Sequence, residues 1–161
     1  MSIDECPNEL LKKYGLPGAT AVLVIQSIQN EKLSELDLVT ITELWDKKYK
    51  ELSKKKSSLK AGCVILAFAG LIFHGHVKFS HKIIIKGDFP FSKNYDYVKT
   101  AISILESDYD NEWPSTLKIR ELWTQVFATL NRRQSANNSQ LHMLKALIDS
   151  GLIRSFSGLS K

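Results

Sequence analysis

The chain has 161 residues, of which 43% are hydrophobic and 24% charged, so it can build one ordinary domain or two very small ones. Its 8 glycines and 4 prolines are too few for a fibrous or low-complexity chain. The formal net charge of +5 is concentrated in residues 47–60, which hold seven lysines and one acid, Glu51.

The first half of the chain begins with a predicted apolar helix over residues 19–28, followed by a short extended piece over 38–40. Thr40 and Glu43 have the spacing of a capping box, which predicts that the next helix begins there. Trp45 lies in a stripe of apolar residues three and four positions apart. This spacing is typical of a helix with one buried face.

A second helical run, over residues 61–73, follows a polar break and is apolar on almost every side. Gly75 is the left-handed residue expected at the end of such a helix. Residues 76–79 and 82–86 then predict two strands of a hairpin around Ser80. A helix-turn-helix closed by a small hairpin is the winged-helix arrangement.

The second half of the chain repeats this order. An Ile-x-Glu-Leu-Trp run begins at Ile41 and again at Ile119, and a Leu-Ile-x-x-Gly run ends at Gly75 and again at Gly151. The repeat predicts a helix over 98–105, an extended piece over 117–119, a helix beginning near Trp123, a helix over 138–150 and a strand over 152–156.

These observations predict a mainly α fold with small β-hairpins (α+β), built as tandem winged-helix domains. The predicted domains span residues 1–88 and 89–161, with the linker around residues 87–94, where both periodicities stop. A single helical domain with one central hairpin is the alternative, but it leaves the repeat unexplained.

The layout resembles the tandem winged-helix accessory subunits of SMC-like ATPases. That class includes kleisin-interacting winged-helix proteins and the middle component of ABC-three-component antiphage systems. The residues that carry the resemblance are VTITELW (39–45), ILAF (65–68) and LIFHGHV (71–77). The resemblance implies a non-catalytic adaptor that binds an SMC-like ATPase or its kleisin-type linker protein, in antiphage defence or chromosome maintenance.

The helical run over residues 61–73 offers a DNA groove no polar side chain after Lys60. A helix that is apolar on every face is buried on every face. Either the second domain covers its outer side, or a partner or a second copy in a homodimer does, and we favour a contact between molecules. The predicted protein interface comprises Ala61, Val64, Phe68, Phe73, Phe89 and Phe91.

Two basic surfaces are candidates for DNA contact, because lysines and arginines placed on phosphates add salt-dependent affinity. One is the lysine run and the other is the helix over 138–150, which would serve the alternative function of a DNA-binding transcriptional regulator. For both surfaces we favour an ordinary solvated face over a binding site. The candidate nucleic-acid residues are Lys47, Lys54, Lys55, Lys56, Lys60, Arg132, Arg133 and Lys145.

The sequence contains no phosphate-loop, dinucleotide-binding or nucleophile-elbow motif, and we expect no enzyme, cofactor or metal. His74, His76 and His81 are close in sequence, but we interpret them as wing-surface residues. Cys6 and Cys63 lack a pairing pattern, which suits a reducing compartment. The acidic N-terminus does not resemble a signal peptide and no apolar stretch could span a bilayer, so we expect a cytoplasmic protein without a membrane contact.

Overall fold

A computed structural model describes residues 7–53 and 62–154. Within these ranges the chain is mainly helical, which confirms the predicted class, with two strands of two residues each. The elements are α1 (Pro7–Asn30), β1 (Glu35–Leu36), α2 (Leu38–Ser53), α3 (Gly62–Phe73), β2 (Ile84–Ile85), α4 (Lys93–Asp108), α5 (Ile119–Leu130) and α6 (Ser139–Asp149).

Helix α1 is longer than the apolar run over residues 19–28 from which it was predicted, and it is kinked. Gly15 has φ 73° inside the helix, a backbone conformation that glycine adopts with little strain. Pro17 follows the kink, where the first turn of a new helical segment tolerates a residue without an N–H group. Both segments enter the core, through Leu10 and Tyr14 before the kink and mainly through residues 18–28 after it.

The start of α2 differs from the predicted one. The extended residues are Glu35 and Leu36, and the helix already begins at Leu38, so the expected extended piece over 38–40 is wrong. The cap is Asp37 rather than Thr40, because the Asp37 carboxylate accepts a hydrogen bond from the Thr40 N–H at 2.8 Å. This hydrogen bond lowers the pKa of Asp37, since it favours the charged carboxylate.

The hairpins expected over residues 76–79 with 82–86 are also not formed. Strand β2 pairs in parallel with β1, with Glu35 opposite Ile84. Val77 instead forms an antiparallel bridge with Ile153, in the equivalent segment of the second half. The order of the helices agrees with the prediction, while the segments expected to form wings pair with distant parts of the chain instead.

The turns that end α3 and α6 confirm the predicted glycine caps. Gly75 has φ 76° and Gly151 has φ 73°. The His76 N–H donates to the Leu71 carbonyl at 2.9 Å, and the Leu152 N–H donates to the Leu147 carbonyl at the same distance. Both ends therefore have the hydrogen bond pattern of a Schellman cap, which satisfies the last carbonyls of each helix.

The two halves of the chain pack into one another rather than side by side. The most extensive helix contact among the described residues joins α1 to α6, and the equivalent contact joins α4 to α3. The first helix of each half thus covers the third helix of the other half. Residues on either side of the predicted boundary at 88 share one hydrophobic core, so the halves are repeats in sequence but do not pack as separate domains.

The tryptophans of the repeated motif lie at equivalent places in this core. The Trp45 ring centroid is 5.1 Å from that of Phe68, which joins α2 to α3. The Trp123 and Phe127 centroids are 4.8 Å apart on α5. Both tryptophans are almost completely buried, so the motif that defines the repeat is made of core residues.

We expect Gly18→Ala to lower the free energy of unfolding by about 1–3 kcal/mol, through overpacking of α1 against α6. A Cβ atom at Gly18 would lie 2.5 Å from the Tyr14 Cβ of the same helix, 2.9 Å from the Ala146 Cβ and 3.1 Å from the His142 carbonyl oxygen. Urea unfolding monitored by tryptophan fluorescence measures the change. Ser103→Ala, at an exposed position of α4, is the control and should cost under about 0.5 kcal/mol.

Because the halves share one core, the Gly18→Ala variant should unfold in a single transition at a lower urea concentration. Two separate transitions, with only one of them shifted, would contradict the interleaved packing.

Candidate interaction surface

Helix α6 is enclosed by the rest of the fold, although its sequence predicted a polar outer face. Lys145 Nζ lies 3.1 Å from Asp149 Oδ2 and 5.2 Å from the centre of the Trp113 ring. The Tyr14 hydroxyl on α1 donates a hydrogen bond to the same carboxylate oxygen, Asp149 Oδ2, at 3.0 Å. Lys145 is therefore held by contacts within the chain.

Helix α3 is likewise covered within the chain, by α4, α6 and α2. Val64 is 3% exposed and Phe68 is fully buried, so two of the residues predicted at an interface between molecules lie in the core instead. The physical reason is that α4, the first helix of the second half, packs against α3 where we expected a partner molecule to do so. Ala61 lies outside the described residues, and Phe73 is half-buried at the end of the helix.

Only part of the lysine run falls within the described residues, since Lys54, Lys55, Lys56 and Lys60 lie outside them. Lys47 is exposed on α2. Its neighbours form ion pairs along the same helix: Lys48 Nζ lies 3.4 Å from Glu51 Oε1, and Lys50 Nζ lies 3.0 Å from Asp46 Oδ2. Such exposed pairs contribute little to stability.

Arg132 and Arg133 have different surroundings although they are adjacent. An Arg132 guanidinium nitrogen lies 3.3 Å from Asp96 Oδ2, and its carbon lies 5.9 Å from the centre of the Tyr97 ring. These contacts join α4 to the end of α5, which is a structural role. Arg133 is exposed.

The segments that follow α3 and α6 meet at the junction between the two halves. The Lys78 N–H donates to the Leu152 carbonyl and the Arg154 N–H donates to the His76 carbonyl, each at 2.8 Å. The donors are equivalent residues of the two repeats, and so are the acceptors. The junction therefore has an approximate twofold axis between Val77 and Ile153, like a symmetric interface within one chain.

A cluster of aromatic and histidine rings lies on one side of this junction, around Tyr95 of α4. The His74 ring stacks on Tyr95 with centroids 4.4 Å apart, and His76 Nε2 lies 2.9 Å from the Tyr95 hydroxyl oxygen. The linker residue Phe89 meets Tyr95 edge-on at 6.0 Å and packs on Phe73 at 5.5 Å. The linker is thus anchored to the ends of α3 and α4.

The charged states in this cluster follow from its burial. Burial lowers the pKa of His76, and the nearby His74 lowers it further, while the carboxylate of Glu106 opposes the change. Burial also raises the pKa of Tyr95, because it disfavours the phenolate. At neutral pH both groups of the hydrogen-bonded pair are therefore neutral.

Beyond the cluster, three large apolar side chains of the described residues are exposed to solvent, and one of them is in the linker. Phe91 is 78% exposed and Ile84 is 52% exposed; Val39, at the start of α2, is 65% exposed. Of the six residues predicted at a protein interface, Phe73, Phe89 and Phe91 thus lie together at the linker, while Val64 and Phe68 do not reach the surface.

Sequence reasoning missed the junction itself, because it paired residues 76–79 with their sequence neighbours. The signal that the sequence offers is that a predicted strand follows the repeated Leu-Ile-x-x-Gly stop in both copies, at Val77 and at Ile153. Among the described residues no group of three or more His, Cys, Asp or Glu is placed to hold a metal ion. None of the helices within those ranges has the length and apolar character that crossing a membrane requires.

Comparison with known proteins identifies the family but not its activity. A family model described as a family of unknown function (DUF6979) matches residues 12–154. The match covers most of the chain, including the repeats and the junction, so the chain belongs to this family. Neither the curated proteins nor the solved structures contain a significant match.

We expect the free energy of unfolding to fall as the pH is lowered from about 7.5 to 5.5. In the folded chain, burial lowers the pKa values of His76 and His142 below the ordinary 6.5, so the unfolded chain binds these protons first. The contribution of these histidines to the free energy of unfolding is present above pH 6.5. It is lost as the pH falls through their lowered pKa values. Lys99 and His74, which face His76, also disfavour its charged form.

Urea midpoints measured across this pH range test the expectation. A double variant, His76→Gln with His142→Gln, should show a flatter profile than the wild type. The same slope in both proteins would contradict an origin in these two histidines.

Proposed function

We propose that this member of the DUF6979 family is a non-catalytic adaptor subunit that binds a protein partner through the linker between its two halves. The resemblance in the repeated motif favours an SMC-like ATPase or its kleisin-type linker protein as that partner. Under the same proposal the protein acts in the cytoplasm, in antiphage defence or chromosome maintenance.

The observation that carries the proposal is the exposure of Phe91. A phenyl ring that is 78% exposed gains little from folding, but it can bury most of its surface in a complex. Aromatic residues are enriched at the centres of protein interfaces, where a few of them supply most of the binding free energy. Two residues away, Phe89 fixes the linker against Phe73 and Tyr95, so Phe91 is presented from an anchored segment.

The packing of α3 and α6 favours this adaptor over a transcriptional regulator. A regulator of the helix-turn-helix type reads base edges with polar side chains on an accessible helix. In this fold α1 lies against α6 and α4 lies against α3. Lys47 and Arg133 remain exposed, which supports auxiliary contact with the DNA backbone rather than base reading.

We further interpret the two halves as modified winged-helix units. Each keeps the order of a first helix and a helix-turn-helix, formed by α2 with α3 and by α5 with α6. The residues expected to form the wing contribute to the junction instead, through Val77 and Ile153. In this interpretation, the two halves of one chain pair with each other as two winged-helix molecules would in a dimer.

Affinity purification of the tagged protein from its native cell, followed by mass spectrometry, tests the proposed partner. We expect a large ATPase with a coiled coil, or its linker protein, in stoichiometric amounts that survive nuclease treatment. Recovery of the protein with DNA alone, lost on nuclease treatment, would contradict the adaptor and support the regulator.

The variant Phe91→Asp should abolish recovery of that partner while leaving the fold intact, because the ring is exposed and a buried aromatic anchor contributes about 2 kcal/mol or more to an interface. Val39→Asp is the matched control, since Val39 is similarly exposed but lies on α2. Circular dichroism and the urea midpoint should not change in either variant. Equal recovery of the partner with Phe91→Asp and with the wild type would exclude the linker as the binding surface.

A further inference from the structure

A groove opens beside the junction, between the end of α3 and strand β2. Its volume is about 270 Å³, and its apolar walls include Phe73, Phe79, Ile83 and Ile85, all half-buried. Phe73 also packs on Phe89, so the groove is continuous with the linker that ends in the exposed Phe91. The side chains that form the walls can therefore bury more surface when an apolar group enters the groove.

The two charged side chains that line the groove are basic. Lys82 and Arg154 line it, and both are exposed. On the other side of Phe79 lies a second cavity of about 330 Å³, which is lined by Lys78. Within the described part of the chain, neither cavity is lined by an aspartate or a glutamate. Opposite charges on a ligand would therefore be attracted to this edge of the molecule.

The size of the groove limits what it can hold. Small-molecule and cofactor sites usually have volumes of about 300–1,000 Å³ and enclose most of the ligand. The groove is smaller than this range and open to solvent along the chain surface. It suits one or two apolar side chains of an extended or helical peptide better than a whole cofactor.

We propose that this groove binds an acidic peptide segment of the partner, one that carries an aliphatic or aromatic side chain between aspartates or glutamates. The apolar side chain enters between Phe79 and Ile83, and the acidic groups lie near Lys82 and Arg154. This inference rests on the proposed adaptor function and names the part of the partner that is recognised.

The walls of the groove favour a peptide over a nucleic acid. Single-stranded nucleic acids stack their bases on exposed aromatic faces and follow a basic track along the backbone. Here four of the six apolar side chains that line the groove are aliphatic, and both phenylalanines are half-buried. Aliphatic walls bind aliphatic side chains well but offer no flat surface for a base.

The full chain should be used to select binders from a displayed library of random short peptides. We expect the enriched peptides to be rich in aspartate and glutamate around a leucine, isoleucine or phenylalanine. A consensus peptide is then synthesised, together with a version in which lysine replaces each acidic residue, and binding is measured by fluorescence anisotropy. The lysine version should not bind the wild type.

Lys82→Glu should weaken binding of the acidic peptide about five- to tenfold, because one attraction becomes a repulsion. Lys12→Glu is the matched control, an exposed lysine on α1 away from the groove, and it should change binding less than twofold, as a distant charge does at moderate salt. Ile83→Ser should weaken the same peptide about tenfold by removing apolar contact. Circular dichroism of each variant checks that the fold is kept.

Three outcomes would overturn the inference. They are an enriched set without acidic residues, an acidic peptide that binds Lys82→Glu as tightly as the wild type, and a short DNA duplex that displaces the peptide and loses affinity in Lys82→Glu. Failure of the adaptor function gives a different result, because no ATPase or linker protein is then recovered from cells. If the partner is recovered and depends on Phe91 but the library selects nothing, the groove is wrong and the adaptor stands.

Discussion

Two backbone hydrogen bonds at the junction, from Lys78 to Leu152 and from Arg154 to His76, hold the two halves of the chain in register. Because equivalent residues donate and accept, the halves are related by an approximate twofold rotation. About this axis α1 packs on α6 and α4 packs on α3, so each half completes the core of the other. An apolar helix such as α3 needs this cover, since one half offers too few helices to surround it.

The same constraint determines which surfaces remain for binding. In a winged-helix protein the third helix usually contacts DNA. Here the third helix of each half, α3 or α6, lies in the centre of the fold. The most exposed large apolar side chain of the described residues, Phe91, belongs to the linker after β2. Such connections commonly carry function when a rigid core positions them. The rings of Phe89 and Tyr95 supply that rigidity where the linker begins.

The sequence predicts the helices of this fold well, because apolar spacing reports which face of a helix is buried. The repeated Trp45 and Trp123, and the glycines at 75 and 151, are found where the patterns predict them. The pairing of Val77 with Ile153 was not predictable in this way, since spacing says that a segment is extended but not which segment it meets. For the same reason, we expected a partner molecule to bury Val64 and Phe68 of α3, whereas α4 packs against this helix. Of the interface residues, those in the linker could be placed from sequence, because no helical or strand pattern includes them.

The proposed binding surface depends on where the two halves differ, because a shared core alone would give both sides of the junction the same surface. The positions of Phe73, His74 and His76 in the first half are taken by Asp149, Ser150 and Leu152 in the second. Only the first set can form a ring cluster with Tyr95 and hold an aromatic linker. The second set has no ring, and the Asp149 carboxylate accepts a hydrogen bond from the Tyr14 hydroxyl of α1 instead. The junction is therefore symmetric in its backbone hydrogen bonds, and its asymmetry at these three positions explains why the ring cluster forms on one side only.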